Sequence, residues 1–136
     1  MQRFTDKVVL VTGAGSGIGQ ASAIRLAAEG CSVFCVDLDG GAAASTVAEI
    51  TAEGGIATPW TCDVANEASV DEAFQACIDA YGSLSGLVNM AGILRFDDTQ
   101  ELQTGHWQKI IDVNLTGAMF LCRAALPHLL KTKGSI

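Results

Sequence analysis

The chain has 136 residues, 8 of them basic and 15 acidic, for a formal charge of −7. That length suits one domain with one buried core, and an apolar content of 49% is too high for a disordered chain. The acidic balance argues against a nucleic-acid or anionic-membrane surface, but not against one phosphate group held by backbone dipoles.

The opening residues 1–6 hold no signal-peptide core. No run reaches the ~18 apolar residues of a bilayer span, so no membrane partner is expected. Lys7 to Thr12 (KVVLVT) predicts a buried strand, followed by the glycine-dense turn Gly13 to Gly19. A helix is expected from about residue 18 to 29, closed by Gly30, then a strand over Ser32 to Asp37. An alanine-rich helix over Ala42 to Glu53 ends at Gly54 and Gly55. Ile56 to Cys62 reads as a strand that Pro59 confines to an edge or an irregularity.

The next helix is marked by Val70, Ala73, Phe74, Cys77, Ile78 and Tyr81 at three- and four-residue steps, with polar residues 66–69 in front and Gly82 behind. Gly86 to Asn89 is a fourth short strand. A long helix from about 104 to 130 carries the stripe Trp107, Ile110, Ile111, Leu115, Ala118, Met119, Cys122, Leu126 and Leu129. Gly134 to Ile136 opens a fifth strand. Short apolar strands alternating with helices imply a parallel sheet with helices on both faces, a doubly wound α/β fold in one domain over residues 1–136.

The cysteines Cys31, Cys35, Cys62, Cys77 and Cys122 contain no Cys-x-x-Cys, and the two histidines lie far from them, so no metal site is expected. An odd number without a signal peptide reads as free thiols in a reducing cytoplasm. His106 and His128 read as surface or capping residues, and Trp60 and Trp107 as core or interface. Asp97, Asp98 and Glu101 precede the long helix and favour its N-terminal dipole.

The glycine turn joins a strand to a helix. Its first glycine permits the tight turn, a middle one lets backbone approach a phosphate, and the last lets helix pack on strand. The helix N-terminus then offers free N–H groups to a pyrophosphate. No Gly-Lys-Ser/Thr follows, which excludes a P-loop. Asp37 ends the second strand, where its carboxylate can accept from both hydroxyls of an adenosine ribose. A 2′-phosphate would meet like charge there, and neither Ser16 nor Leu38 supplies a cation, so NAD is expected over NADP. A merely structural turn and an exposed loop acid are the alternatives; Asp39 suits the latter role better than Asp37.

The spacing Thr-Gly-x-x-x-Gly-x-Gly, carried by Thr12, Gly13, Gly17 and Gly19, resembles the short-chain dehydrogenase/reductase family. Asp63-Val64 resembles the family's Asp-Val pair that contacts adenine. Asn89-Met90-Ala91-Gly92 resembles its Asn-Asn-Ala-Gly, and Asn114-Leu115-Thr116-Gly117 its Asn-x-x-Gly. The resemblance covers Lys7 to Ile136 and implies a Rossmann-like sheet, truncated at the start of its fifth strand. It implies cofactor contacts from Thr12, Gly13, Gly15, Ser16, Gly17, Ile18, Gly19, Asp37, Leu38, Asp63, Val64, Asn89, Ala91 and Gly92. Asn114 would belong to the catalytic tetrad, in a proton relay; read without the family, it is a polar residue on an apolar stripe whose amide makes a structural link to backbone.

The implied reaction is hydride transfer between NAD and a small alcohol/carbonyl substrate. Two departures from the family pattern bear on it, the first expected at little cost because Asn89 and the small Ala91-Gly92 pair remain, the second severe. Met90 replaces the family's second Asn. The family's catalytic Ser and Tyr-x-x-x-Lys are absent from these residues: the single tyrosine, Tyr81, has Ser85 four positions on. The chain alone is therefore expected to be inactive, supplying the cofactor-binding half of an enzyme. A non-catalytic dinucleotide-binding or interaction module and an inactive fragment are the rivals. Surplus apolar positions between Ile110 and Leu129, and an edge at Leu87 and Val88, predict self-association, with a homo-oligomer the implied assembly.

Overall fold

A computed structural model describes residues 2–136; Met1 lies outside the described residues. The strand β1 (Val8–Thr12) is buried along its whole length, as a strand covered on both faces must be. Its pleat sends Val8 and Leu10 into one core and Val9 and Val11 into the other. The strand β2 (Ser32–Asp37) divides Phe34 and Val36 from Val33 and Cys35 in the same way. The helices α1 (Gly17–Ala28) and α2 (Gly40–Ala52) cover the second core with Ala23, Ala27 and Ile50. The helices α3 (Glu67–Tyr81) and α5 (Gly117–Thr132) cover the first with Phe74, Leu121 and Leu129.

With β3 (Ile56–Thr61) and β4 (Gly86–Asn89), the sheet has the order β3-β2-β1-β4, parallel throughout. Leu10 lies opposite Phe34 on one side and Leu87 on the other. The chain winds outward from β1 to β3 and then returns to the far side of β1. That reversal places a crevice at the carboxyl ends of β1 and β4, where open α/β sheets bind ligands. Pro59 stands on an edge strand, as its missing N–H requires. The fifth strand begins as expected: Ser135 bridges to Gly86 in parallel, and the Leu87 N–H donates to the Ser135 carbonyl at 3.1 Å.

The helix ends follow local chemistry. Asn66 Oδ1 accepts from the Ser69 N–H at 3.0 Å, and Gly82 closes α3 at φ +77°. Asp39, expected as a loop acid, caps α2 by accepting from the Ala42 N–H at 3.0 Å, which draws Gly40 and Gly41 into the helix. Tyr81 packs edge-on against Phe34 and shares a 2.8 Å hydrogen bond with Thr58.

The long helix needs the main correction. The segment α4 (Thr104–Ile111) runs through one π turn, Asp112–Thr116, into α5. The face that packs on the sheet is Gly117, Leu121, Ala125 and Leu129. Of the nine residues in the expected stripe only Leu129 is buried, while Trp107, Leu115, Met119 and Leu126 are exposed. The π turn breaks the 3.6-residue period, and the true seam uses small residues: a Cβ on Gly117 would stand 3.0 Å from the Val64 carbonyl oxygen. The continuous helix of 29 residues is also long and apolar enough, by those two measures, to cross a bilayer. The sequence reading missed this because charges interrupt its apolar runs. Its seam residues are engaged with the sheet and α3.

All five cysteines are free thiols, four of them buried and Cys122 partly so. Burial pushes the Cys35 and Cys77 thiols up to about 12.

Candidate functional site

A cleft of about 880 Å³ opens at the carboxyl ends of the strands. Its floor and walls come from the ends of β1, β2, β3 and β4, the start of α1 and one face of α4 with the π turn. Of the residues singled out in the sequence, Gly13, Ser16, Gly17, Ile18, Gly19, Asp37, Leu38, Asp63, Val64, Ala91 and Gly92 line it. Thr12, Gly15, Asn89 and Asn114 do not. Their hydrogen bonds tie the lining segments to one another.

Thr12 is fully buried. Its Oγ1 donates to Asn89 Oδ1 at 2.7 Å and accepts from the N–H groups of Met90 and Ala91, both at 3.1 Å. One hydroxyl thus ties the end of β1 to the turn after β4, across the crevice floor. Met90, where the family pattern has asparagine, contributes a backbone N–H here, so the substitution leaves the tie intact.

The glycine turn shows three different steric situations. Gly13 has φ +62°, and a Cβ on it would stand 2.9 Å from the Met90 carbonyl. A Cβ on Gly19 would stand 2.0 Å from the Gly13 carbonyl oxygen, so α1 packs directly on the turn. Gly17 has φ +55° with nothing within 4 Å of a Cβ, so open space lies before it. Ser16, the residue before α1, makes no side-chain capping bond, which leaves the first-turn N–H groups of α1 free for an anion at the mouth. A cradle closed to Cβ atoms at Gly13 and Gly19, and open at Gly17, fits a pyrophosphate on backbone.

Asp37 ends β2 at the rim. One carboxylate oxygen accepts from the Gly15 N–H at 2.8 Å and the other from the Asp39 N–H at 3.0 Å. Each oxygen keeps a further lone pair for a ligand hydroxyl. Leu38 beside it is exposed and apolar. Asp63 Oδ1 accepts from the Ala65 N–H at 2.9 Å, and Ser69 Oγ accepts from the Asp63 N–H at 3.1 Å, setting the Asp63–Val64 corner on the cleft wall.

Asn114 sits in the π turn and is exposed, not buried in a stripe. Its Oδ1 accepts from the Ile93 N–H and its Nδ2 donates to the Ile93 carbonyl, both at 2.8 Å. The amide therefore reads both backbone poles of Ile93 and pins the segment after Gly92 against the long helix. This is the side-chain–backbone link that the residue's polarity implied. Asp97 stands between Arg95 Nε at 2.9 Å and His106 Nδ1 at 3.5 Å, which places an acid beside His106 near the start of α4.

Several lining residues were not among the expected cofactor contacts: Met90, Ile93, Gln108, Lys109, Asp112 and Val113. Gln108, Lys109 and Asp112 carry a signal only in retrospect, as the polar positions preceding Asn114. Among the described residues Lys109 is the one basic side chain along the cleft, against the carboxylates of Asp37, Asp63 and Asp112.

Residues 7–136 match the family model of the short chain dehydrogenases, and the chain belongs to that family. Its members use nicotinamide dinucleotide cofactors. The chain is 39% identical to a 3beta-hydroxysteroid dehydrogenase of Mediterraneibacter gnavus, over 100% of this chain and 50% of the relative. It is 37% identical to a cyclohexanol dehydrogenase of an Acinetobacter species, over 97% of this chain and 53% of that enzyme. The crystal structure of hydroxysteroid dehydrogenase from Escherichia coli superimposes with a TM-score of 0.94 at 29% identity, covering 98% of this chain and 57% of that one. The chain spans about half the length of the curated relatives it matches.

Proposed function

We propose that the chain supplies the dinucleotide-binding half of an NAD-dependent oxidoreductase acting on a small alcohol/carbonyl pair. The observation that carries this reading is the cleft at the sheet's switch point, with an open Gly17 beside a free helix N-terminus and a carboxylate 20 residues further on. In this reading the α1 N-terminus and the Ser16–Gly19 backbone hold the pyrophosphate. Asp37 takes the adenosine ribose hydroxyls, and Asp63, Val64 and Ala91 bound the adenine. Gly92 continues the floor toward the nicotinamide, which when bound exchanges hydride with the alcohol/carbonyl carbon. Asn114 holds the Ile93 backbone at the edge of that floor. Named relatives that are hydroxysteroid and cyclohexanol dehydrogenases support a secondary-alcohol substrate class.

NAD over NADP follows from charge. Three carboxylates and one ammonium line the cleft, and an added 2′-phosphate carries roughly two negative charges toward Asp37. NAD should bind at least ~10-fold tighter than NADP, about 1.4 kcal/mol. Isothermal titration of the chain with each dinucleotide is the test, repeated on Asp37→Ala/Leu38→Arg, which should narrow or reverse the gap. Tighter binding of NADP to the unmodified chain would overturn the preference, and binding of neither would overturn the site.

A further inference from the structure

The peptide unit joining Ala14 to Gly15 lies at the centre of the glycine turn, and both of its poles are held by side chains from outside the turn. Its carbonyl, on Ala14, accepts from Thr46 Oγ1 at 2.8 Å. Its N–H, on Gly15, donates to Asp37 Oδ2 at 2.8 Å. The Ala14 N–H just before it donates to the Val36 carbonyl at 3.0 Å. Ala14 and Thr46 are both fully buried, so no water competes for the carbonyl.

Thr46 stands on the packed face of α2 with Ala43 and Ile50. That face would otherwise take an apolar residue, because a buried hydroxyl is costly unless it is hydrogen-bonded. The hydroxyl has one proton and two carbonyls in reach, Ala14 at 2.8 Å and its own helix's Ala42 at 3.3 Å. The shorter contact takes the proton, so Thr46 donates across to the turn. Packing closes the third side: a Cβ on Gly15 would meet Ala42 Cβ at 2.6 Å and Asp37 Oδ2 at 2.9 Å.

We infer that Thr46 is a positioning residue for phosphate binding: with Asp37 it clamps the Ala14–Gly15 peptide plane and so fixes the direction of the N–H groups that follow at Ser16 and Gly17. Asp37 then has two tasks, holding the turn with one oxygen's bond and meeting the ribose with what remains. The ligand in this inference rests on the dinucleotide reading above; the clamp does not.

The test compares Thr46→Val, which keeps shape and removes the donor, with Thr46→Ser, which restores it. Titrations use NAD and adenosine, which lacks phosphate, and amide hydrogen exchange at Gly15 is followed without ligand. Thr46→Val should weaken NAD about tenfold, ~1.4 kcal/mol, leave adenosine within about twofold, and speed Gly15 exchange. Thr46→Ser should match the parent in all three. Unchanged NAD affinity, an equal loss for adenosine, or unchanged Gly15 exchange overturns the inference. Should Thr46→Val not fold, Thr46→Cys, a weaker donor, takes its place under the same criteria. Should the parent bind no NAD, the dinucleotide reading fails. Gly15 exchange then decides the clamp by itself: faster in the variant supports it, and unchanged overturns it.

Discussion

Replacing Gly19 by alanine sets two effects of known sign against each other. Gly19 lies in the first turn of α1 and is not among the glycines with positive φ, so alanine brings no backbone strain. Propensity alone would favour the substitution by ~1 kcal/mol. Sterics oppose it. The new Cβ would stand 2.0 Å from the Gly13 carbonyl oxygen and 2.6 Å from its carbon. Both are backbone atoms, so no rotamer change relieves the contact. Separation to ordinary distances needs movement of about 1.5 Å between α1 and the turn. The turn has little room to retreat, because it packs against the residues after β4: even a Cβ added to Gly13 would stand 2.9 Å from the Met90 carbonyl. Overpacking costs ~1–3 kcal/mol, and a backbone clash falls at the upper end, so the net loss is about 2 kcal/mol. That is a large share of the ~5–15 kcal/mol that holds a domain folded. Urea denaturation should show a lower midpoint at unchanged slope, and NAD affinity should fall more than ~10-fold if the turn holds the phosphates as proposed. Gly54→Ala is the control. It has φ +80° with nothing within 4 Å, so it costs stability through strain alone and leaves NAD binding intact. A Gly19→Ala chain that melts like the parent and binds NAD equally would refute the steric reading of this turn.

Two further perturbations probe other links. Glu29 is buried at the end of α1, where hydrogen bonds from Arg3, then Arg25, hold its carboxyl down at about 2 from an ordinary 4.5. The stability this network confers is complete above the unfolded value near 4.5 and disappears as pH falls toward 2; Glu29→Gln should therefore lower the denaturation midpoint at neutral pH, with the deficit vanishing at the acid end of a pH series. The outward face of the long helix exposes Leu115, Leu126 and Leu130, and apolar area left in water costs ~25 cal/mol per Å². Light scattering over a concentration range should report a mass above the monomer, reduced by Leu126→Lys with Leu130→Lys; a parent chain that stays monomeric at high concentration would overturn this.

The sequence by itself determined the alternation of strands and helices, because short apolar runs, helical periodicity and capping residues are local. β2 and β4 have the bounds their composition predicts, and Asn66, Pro59 and Gly82 act where their chemistry requires. The glycine turn, the acid after β2 and the family motifs also marked eleven of the residues that line the cleft, because these stand at strand ends and a helix start that local pattern locates. Three things were decided only by tertiary structure. The seam of the long helix runs through Gly117 and Ala125, small residues that weigh little in a hydrophobic pattern yet allow close approach to Val64, and the large apolar side chains face outward. The π turn put Asn114 on Ile93 rather than in the core, because one extra residue per turn rotates everything around it. Thr46 lies 32 residues from Ala14 in an alanine-rich helix; only the packing of α2 on the sheet brings its hydroxyl to that carbonyl, and long-range hydrogen bonds between unremarkable residues leave no trace in local pattern.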